Sequence, residues 1–469
     1  MRKLLLSAAL LACGMGAAQA ADLHEAWLAA RQQHPDMAAA TATRAAGEAR
    51  RVQASRLWSP SVTAQAAAGA MGSQTSAQGA AFSMPGTPQT SGVGFDTSVR
   101  SGPGTRWGVE ARMPLYNPER SAQGRQLLLS ADLAELQAAS VQQQLMLRTA
   151  QQYFSAVLAQ QQRALLLRQQ EATDQALKEA QDRFALGDSP ITDVREAEAR
   201  AQANAALVQA ADVEMQIARQ ALAQTTGWSP AQLPPLHLPA SSGNETTALR
   251  DGKPLAPLSH WLDLAERDNL QVRTQAQALA LAEQEATKAA RFASTKVDLV
   301  AQTGGDHLSG SGRWGSASNS ARQYMVGVQI QVPLYTGGQL DARQQELLRL
   351  QDKAQADLDS ARLAVAQQVR TSWLHLQAGA ARTQALESAL RSAQVRLQAT
   401  QLGRQVGDRT TLDLLQAHND AMQSQSNLLG HQTRMAQERL QLMALAGQLD
   451  EAALQAATDT AHMLAPPTP

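Results

Sequence analysis

The segment Gly310-Ser311-Gly312-Arg313-Trp314-Gly315 has the glycine spacing of a dinucleotide-phosphate cradle. That chemistry needs the glycines to follow a strand and open a helix, so that backbone N–H groups face a pyrophosphate. Here they sit in a Ser/Gly-rich stretch between two strand-like runs, with no βαβ unit around them. The segment therefore reads as an exposed loop. The nine histidines are scattered, and none forms an H-E-x-x-H zinc pair. There is no P-loop lysine and no nucleophile elbow. Cys13 is the single cysteine, so beyond it thiol catalysis and cysteine-ligated zinc are excluded. Carboxylates are plentiful, but on long Gln/Ala-rich tracts they read as solvated helix faces. These observations predict neither an enzyme nor a cofactor.

The most suggestive charged residues flank two glycine turns. Leu186-Gly187-Asp188-Ser189-Pro190-Ile191-Thr192-Asp193 is echoed by Val406-Gly407-Asp408-Arg409-Thr410-Thr411-Leu412-Asp413, an offset of 220 residues from Asp193 to Asp413. Glycine suits a left-handed turn position. An Asp just after such a turn is, on local grounds, a helix-start carboxylate favoured by the macrodipole. Arg409 alone is a solvated surface charge.

These turns belong to a chain written twice. Met113-Pro114-Leu115-Tyr116 recurs as Val332-Pro333-Leu334-Tyr335, an offset of 219 from Tyr116 to Tyr335. The starts of the halves match more loosely, with Ala30 to Pro35 against Ala265 to Leu270, an offset of 235. Ordered matches of this kind mark a duplicated large unit. The falling offset places 16 extra residues in the first half, within the Gly/Ser/Pro-rich stretch from Gly69 to Gly104, where an exposed loop is expected. Strands are expected on either side, at Val62 to Ala70 and Arg106 to Pro114, and at Val297 to Gly304 and Tyr324 to Pro333. Tyr324, Val326, Val328, Ile330 and Val332 alternate on one face. Local pattern does not separate a hairpin capping a helical bundle from one that crosses a bilayer.

Long helices follow each hairpin. Tyr116 to Gly187 and Tyr335 to Gly407 contain no proline beyond Pro118, which suits an early helix position. Leu347, Leu350, Ala354, Leu358, Ala361, Val365 and Val369 step by three or four, the seam of a packed helix. Shorter returning helices are expected near Asp193 to Thr226 and Asp413 to Ala446, stopped by Gly227 and Gly447. The domain reading is a signal peptide at 1–20, a first repeat at 21–227, a linker at 228–257, a second repeat at 258–449 and a C-terminal tail at 450–469.

Arg2 and Lys3, the apolar run Leu4 to Ala12 and the Ala18-Gln19-Ala20 cleavage pattern point to export. Acylation at Cys13 is the alternative processing. The chain carries 41 basic and 41 acidic residues, so removing Arg2 and Lys3 leaves about −2 with His neutral. No nucleic-acid partner is expected from that balance. Aromatics are 3% of the chain, and small residues dominate the long tracts, which suits close helix–helix packing. Four strands with open edges cannot stand alone in lipid, so membrane strands would require oligomerisation.

The sequence resembles the TolC family of outer-membrane efflux and secretion channels over nearly all the chain after the export signal. The marks are Asp22-Leu23-His24-Glu25-Ala26-Trp27 through His34-Pro35, then Val332-Pro333-Leu334-Tyr335-Thr336-Gly337-Gly338, then Val406 through Leu415. The resemblance implies a mainly α fold with a small β part: a duplicated long-helix coiled-coil α-barrel with four membrane strands per chain. It also implies a homotrimer sharing one β-barrel in outer-membrane lipid, with a long periplasmic extension. The implied partners are a periplasmic adaptor (membrane fusion) protein and an inner-membrane transporter. Leu186, Gly187, Asp188 and Ser189, with Val406, Gly407 and Asp408, match the turns on which the adaptor docks. Asp413 matches an acid of the entrance constriction, and Thr192, Asp193, Arg404 and Arg409 match its latch. Two positions depart from the family pattern: Gln416 stands where a second acid is expected, and Arg404 where an aromatic residue is usual. The competing reading is an exported coiled-coil scaffold or adhesin without a channel.

Overall fold

The computed structural model describes residues 22–83, 85–86, 88–230, 236, 248–249, 253–312 and 315–459. The segment read as a signal peptide, with Cys13, much of the 228–257 segment read as a linker, and the pair Arg313–Trp314 lie outside the described residues.

Each half opens with a broken helix. Helix α1 (Leu23–Gln33) gives way to α2 (Pro35–Arg56), where His34 is extended before the proline. In the second half α5 (Leu258–Asp268) gives way to α6 (Leu270–Ala290). There Asn269 restarts the helix, its Oδ1 accepting from the N–H groups of Gln271 and Val272 at 2.9 and 3.1 Å. The loosely matched sequence starts are therefore structurally equivalent breaks.

The hairpins are longer than their sequence pattern suggests. Strands β1 (Ser61–Phe82) and β2 (Thr90–Tyr116) pair antiparallel, and a short pair, β3 (Ala248–Leu249) and β4 (Lys253–Pro254), precedes α5. Strands β5 (Lys296–Gly312) and β6 (Gly315–Gln331) form the second hairpin. The sheet order is β1-β2-β5-β6, with β1 and β6 as edges. Two expectations are corrected here. The extra residues of the first half are not a loop: they extend β1 and β2 past Ser101, the last β2 residue paired with β5. The second concerns Gly310–Gly315: Gly310 to Gly312 belong to β5 and Gly315 to β6, with Gly312 paired to Gly315, while Arg313 and Trp314 lie outside the described residues. In β1 and at Gly310–Gly312 the small residues leave no apolar–polar contrast, whereas in β2 Val93, Phe95, Thr97 and Val99 alternate with Gly94, Asp96 and Ser98 and are a signal that could have extended the strand.

The long helices match their expected extent. Helix α3 (Pro118–Ala185) spans 68 residues and α7 (Gln339–Gln405) spans 67, each about 100 Å at 1.5 Å per residue. Helices α4 (Ile191–Thr226) and α8 (Thr411–Leu445) return from them, and α9 (Glu451–Asp459) occupies part of the segment read as a tail. Leu347, Leu358, Ala361, Val365 and Val369 of the α7 seam are buried, whereas Leu350 is exposed.

The chain divides into two compact units. One comprises Gly47–Asp132 and Ala278–Ala354 and holds the four-stranded sheet. The other comprises the described residues of Met1–Ala46, Leu133–Gln277 and Gln355–Pro469. The core of this second unit gathers Leu23, Trp27, Tyr153, Phe154, Leu222 and Leu454. Glu451 of α9 receives the Trp27 indole N–H at 3.4 Å and pairs with Arg31. No helix among the described residues is long and apolar enough to cross a membrane.

Candidate functional site: two glycine tips and a two-faced sheet

Both long helices end in the same backbone turn. At the first tip the Gly187 N–H reaches the Phe184 carbonyl at 3.0 Å, and the Asp188 N–H reaches that of Arg183 at 2.9 Å. At the second, Gly407 N–H reaches Arg404 at 3.1 Å and Asp408 N–H reaches Gly403 at 2.8 Å. This paired pattern is a Schellman cap, which needs a left-handed residue, and Gly187 and Gly407 have φ of 82° and 84°. Space for a Cβ is open at both, so backbone conformation rather than crowding selects glycine. Leu186 and Val406, just before the glycines, are 76% and 81% exposed, and Asp188 and Asp408 beside them are exposed too.

The helices that leave the two tips start differently. Helix α8 opens with a capping box: the Thr410 Oγ1 accepts from the Asp413 N–H at 3.1 Å, and the Asp413 Oδ2 accepts from the Thr410 N–H at 3.0 Å. The Thr410 backbone and hydroxyl bonds, with the nearby Arg409 charge, hold the Asp413 carboxyl below its ordinary value. Asp413 thus serves its own helix start through Oδ2. At α4 the equivalent position is Pro190, which supplies no side-chain cap. Thr192 is exposed and Asp193 half-buried there, while the Ser189 Oγ is buried without a hydrogen-bond partner.

The Arg404 guanidinium pairs with Glu179 of α3. Arg409 is exposed, and Gly403 leaves room for its aliphatic stem, since a Cβ there would lie 2.8 Å from the Arg409 Cγ. Gln416 donates to Asp420 one turn on at 2.8 Å, and Asp420 also pairs with Arg396.

Sequence reasoning missed a polar layer above the tips. The Gln169 side chain donates to Asn204 at 3.3 Å and to Asn419 at 3.0 Å, and Asn204 donates to Thr173 at 2.6 Å. These residues line a cavity of about 180 Å³ with Arg200 and His418, whose Nδ1 is buried without a partner. Burial pushes the His418 imidazole below its ordinary value. In a helix seam such a layer costs stability and fixes register. Its members are single polar residues inside Gln/Ala-rich tracts, so no spacing rule singles them out.

The sheet has two unlike faces. The paired rows Val62–Ala111–Ala301–Val326 and Ala64–Val109–Thr303–Tyr324 lie on one face, followed by Met113–Leu299–Val328. Tyr324 is 88% exposed and Val326 77%. The opposite face carries Arg106, Glu110, Arg112, Asp298, Gln302 and Asp306. The Arg106 Nε contacts Asp306 at 2.6 Å, and Arg112 contacts Glu110 at 2.9 Å and Asp298 at 3.7 Å. This face was legible in Arg106 to Met113, where polar residues alternate with Trp107, Val109 and Ala111. Among the described residues no cluster of three metal-ligating side chains occurs.

A two-faced antiparallel sheet joined to duplicated long helices defines the class of outer-membrane channel proteins. The sequence profile of the outer membrane efflux protein family matches residues 28–228 and 261–448, once in each half, and the chain belongs to that family. It is similar to the outer membrane protein TolC of Vibrio cholerae, with 26% identity over 321 residues covering 68% of this chain and 71% of that one. The protease secretion protein PrtF of Dickeya chrysanthemi is 26% identical over 456 residues, 96% of this chain and 93% of the relative. The crystal structure of the outer membrane protein VceC from Vibrio cholerae shares the fold, with a TM-score of 0.68 at 18% identity over 91% of this chain and 96% of that one. The chain is an outer-membrane protein of the TolC family.

Proposed function

We propose that three copies of this chain close their sheets into one twelve-stranded barrel, and that the helices continue it as a periplasmic tunnel. The assembly is a passive exit duct, not an enzyme, for a tripartite efflux pump or a type I secretion system. The observation that carries this reading is the four-stranded sheet with two open edges and one apolar face. Unpaired strand edges in hydrocarbon cost several kcal/mol per orphan backbone group, so the edges of β1 and β6 must be met by other copies. A scaffold or adhesin would leave the apolar face without an occupant. The likeness to PrtF, a protein of protease secretion, over nearly the whole chain supports the secretion role.

The exposed turns at Gly187 and Gly407, with Leu186, Asp188, Ser189, Val406 and Asp408, receive the periplasmic adaptor, which links the duct to an inner-membrane transporter. Asp413 lines the entrance constriction, and Thr192, Asp193, Arg404 and Arg409 form the latch around it. Mass measurement of the detergent-extracted protein tests the assembly: a heat-dissociable trimer is expected, and a stable folded monomer from the outer membrane would overturn it.

A further inference from the structure

We propose that Arg112, together with Glu110 and Asp298, sets the ion preference of the barrel lumen independently of Asp413. The inference rests on the shared-barrel reading above, which turns the polar face of the sheet inward. On that face the Arg106–Asp306 pair is neutral, with one charge of each sign at 2.6 Å. Six residues along β2, about 20 Å of strand, the balance changes. There a single guanidinium serves two carboxylates. The Arg112 Nη2 donates to the Glu110 Oε1 at 2.9 Å, its Nη1 lies 3.7 Å from the Asp298 Oδ2, and Nη2 also donates to the Gln329 Oε1 at 3.4 Å.

One positive and two negative charges leave one uncompensated negative charge per copy. The neighbouring wall positions Val300, Gln302, Met325 and Gly327 carry none to offset it, and Lys296, next along that face of β5, is itself neutralised by Glu119 at 2.7 Å. Threefold repetition makes a belt of three like charges on a low-dielectric wall, which concentrates cations in the water beside it. Arg112 decides the magnitude, because it contacts both acids. Its bonds to Glu110, Asp298 and Gln329 also fix where the charge lies.

The test uses single introduced cysteines, since the parent chain carries only Cys13, which gives the background. Gln302→Cys pairs opposite Glu110 on the polar face, and Ala301→Cys lies on the apolar face. Reconstituted trimers are reacted at low ionic strength with membrane-impermeant cationic and anionic methanethiosulfonates, and rates are normalised to free thiol. Gln302→Cys should react and Ala301→Cys should not, with the cationic reagent favoured severalfold at Gln302→Cys. Adding Glu110→Gln, or separately Asp298→Asn, should bring the ratio to one, and Arg112→Gln should raise it. High salt should erase the preference, because the Debye length falls to about 3 Å at 1 M. A ratio of one in the parent background, or a ratio unmoved by Glu110→Gln and Asp298→Asn, overturns the charge assignment while leaving the barrel intact. Reaction at Ala301→Cys but not at Gln302→Cys overturns the inward orientation itself, and the barrel reading with it.

Discussion

The two tips share one backbone and differ in one cap. Both use a left-handed glycine closing a Schellman turn, with φ within 2° of each other. The second tip then spends Thr410 and Asp413 on a reciprocal capping box, whereas the first has Pro190 and no side-chain cap. Duplication preserved what the backbone needs and released what side chains can vary. The consequence is a division of labour between equivalent acids. The Oδ2 of Asp413 is held by its own helix start, so the charge sits at a fixed place. Asp193 has no such anchor, and its side chain can turn toward another helix.

The sharpest way to break this comparison is to remove what the tips share. In Gly187→Trp/Gly407→Trp, left-handed φ at a bulky residue costs roughly 1–2 kcal/mol per site. Under the docking proposal, export should fall to background while the trimer and membrane insertion persist, read by a secretion assay beside heat-modifiable mobility. Normal export would defeat the docking role of the tips. Next in size is the entrance. Asp413→Asn should lower cation selectivity in planar bilayers with little change in resting conductance, while Arg409→Ser should raise resting conductance. Parental behaviour in both would leave Asp413 with its capping role alone.

The cap itself gives a smaller and more local effect. Thr410→Ala should cost about 1 kcal/mol at the start of α8, whereas Pro190→Ala removes no side-chain cap and should leave the start of α4 nearly unchanged. Hydrogen exchange over the first turns of the two helices measures the difference, and equal loss at both would erase the asymmetry. The same cap predicts a pH effect. Because the folded Asp413 carboxyl titrates below its ordinary value of 3.8, its contribution is complete above that value and is lost as pH falls through the folded one. Acid should therefore loosen the first turn of α8 in the parent, and Thr410→Ala should blunt that response. The smallest effect belongs to Arg404→Gln, which breaks the tie to Glu179. This half-buried pair still meets solvent and is worth about 1 kcal/mol, so only a small shift in Tm is expected.

Much of this architecture is written in periodicity. The α7 seam, the proline-free tracts and the doubled motifs each repeat a pattern over enough residues to be read, and the glycine tips declare themselves because few residues adopt their φ. What escaped reading depends on partners far away in the chain. Glu179 became the partner of Arg404 through the meeting of α3 and α7, which no local pattern records. The polar layer around Gln169, Asn204 and Asn419 joins three helices through residues that are ordinary in each of them. The extended part of β1 was hidden for a different reason: its Ala, Gly, Ser and Gln give no contrast between faces, and the sign of the hairpin lies in its partner, where Val93, Phe95 and Val99 of β2 recur at every second or fourth position.

The join between β2 and β5 also governs when the sheet can exist. Arg106 and Asp306 face each other across 200 residues of chain, while each hairpin closes on residues close in sequence. Long-range pairing is the slow kind, since loop-closure entropy is lost before any contact rewards it. If the chain emerges from its N-terminus, the first hairpin must wait through α3 and α4 with the inner edge of β2 bare. A bare edge recruits whatever strand comes near, including the same hairpin of another nascent copy. The interval between the two hairpins is therefore a window for misassembly. Its length is set by α3 and α4, the two long helices that separate the hairpins in the chain.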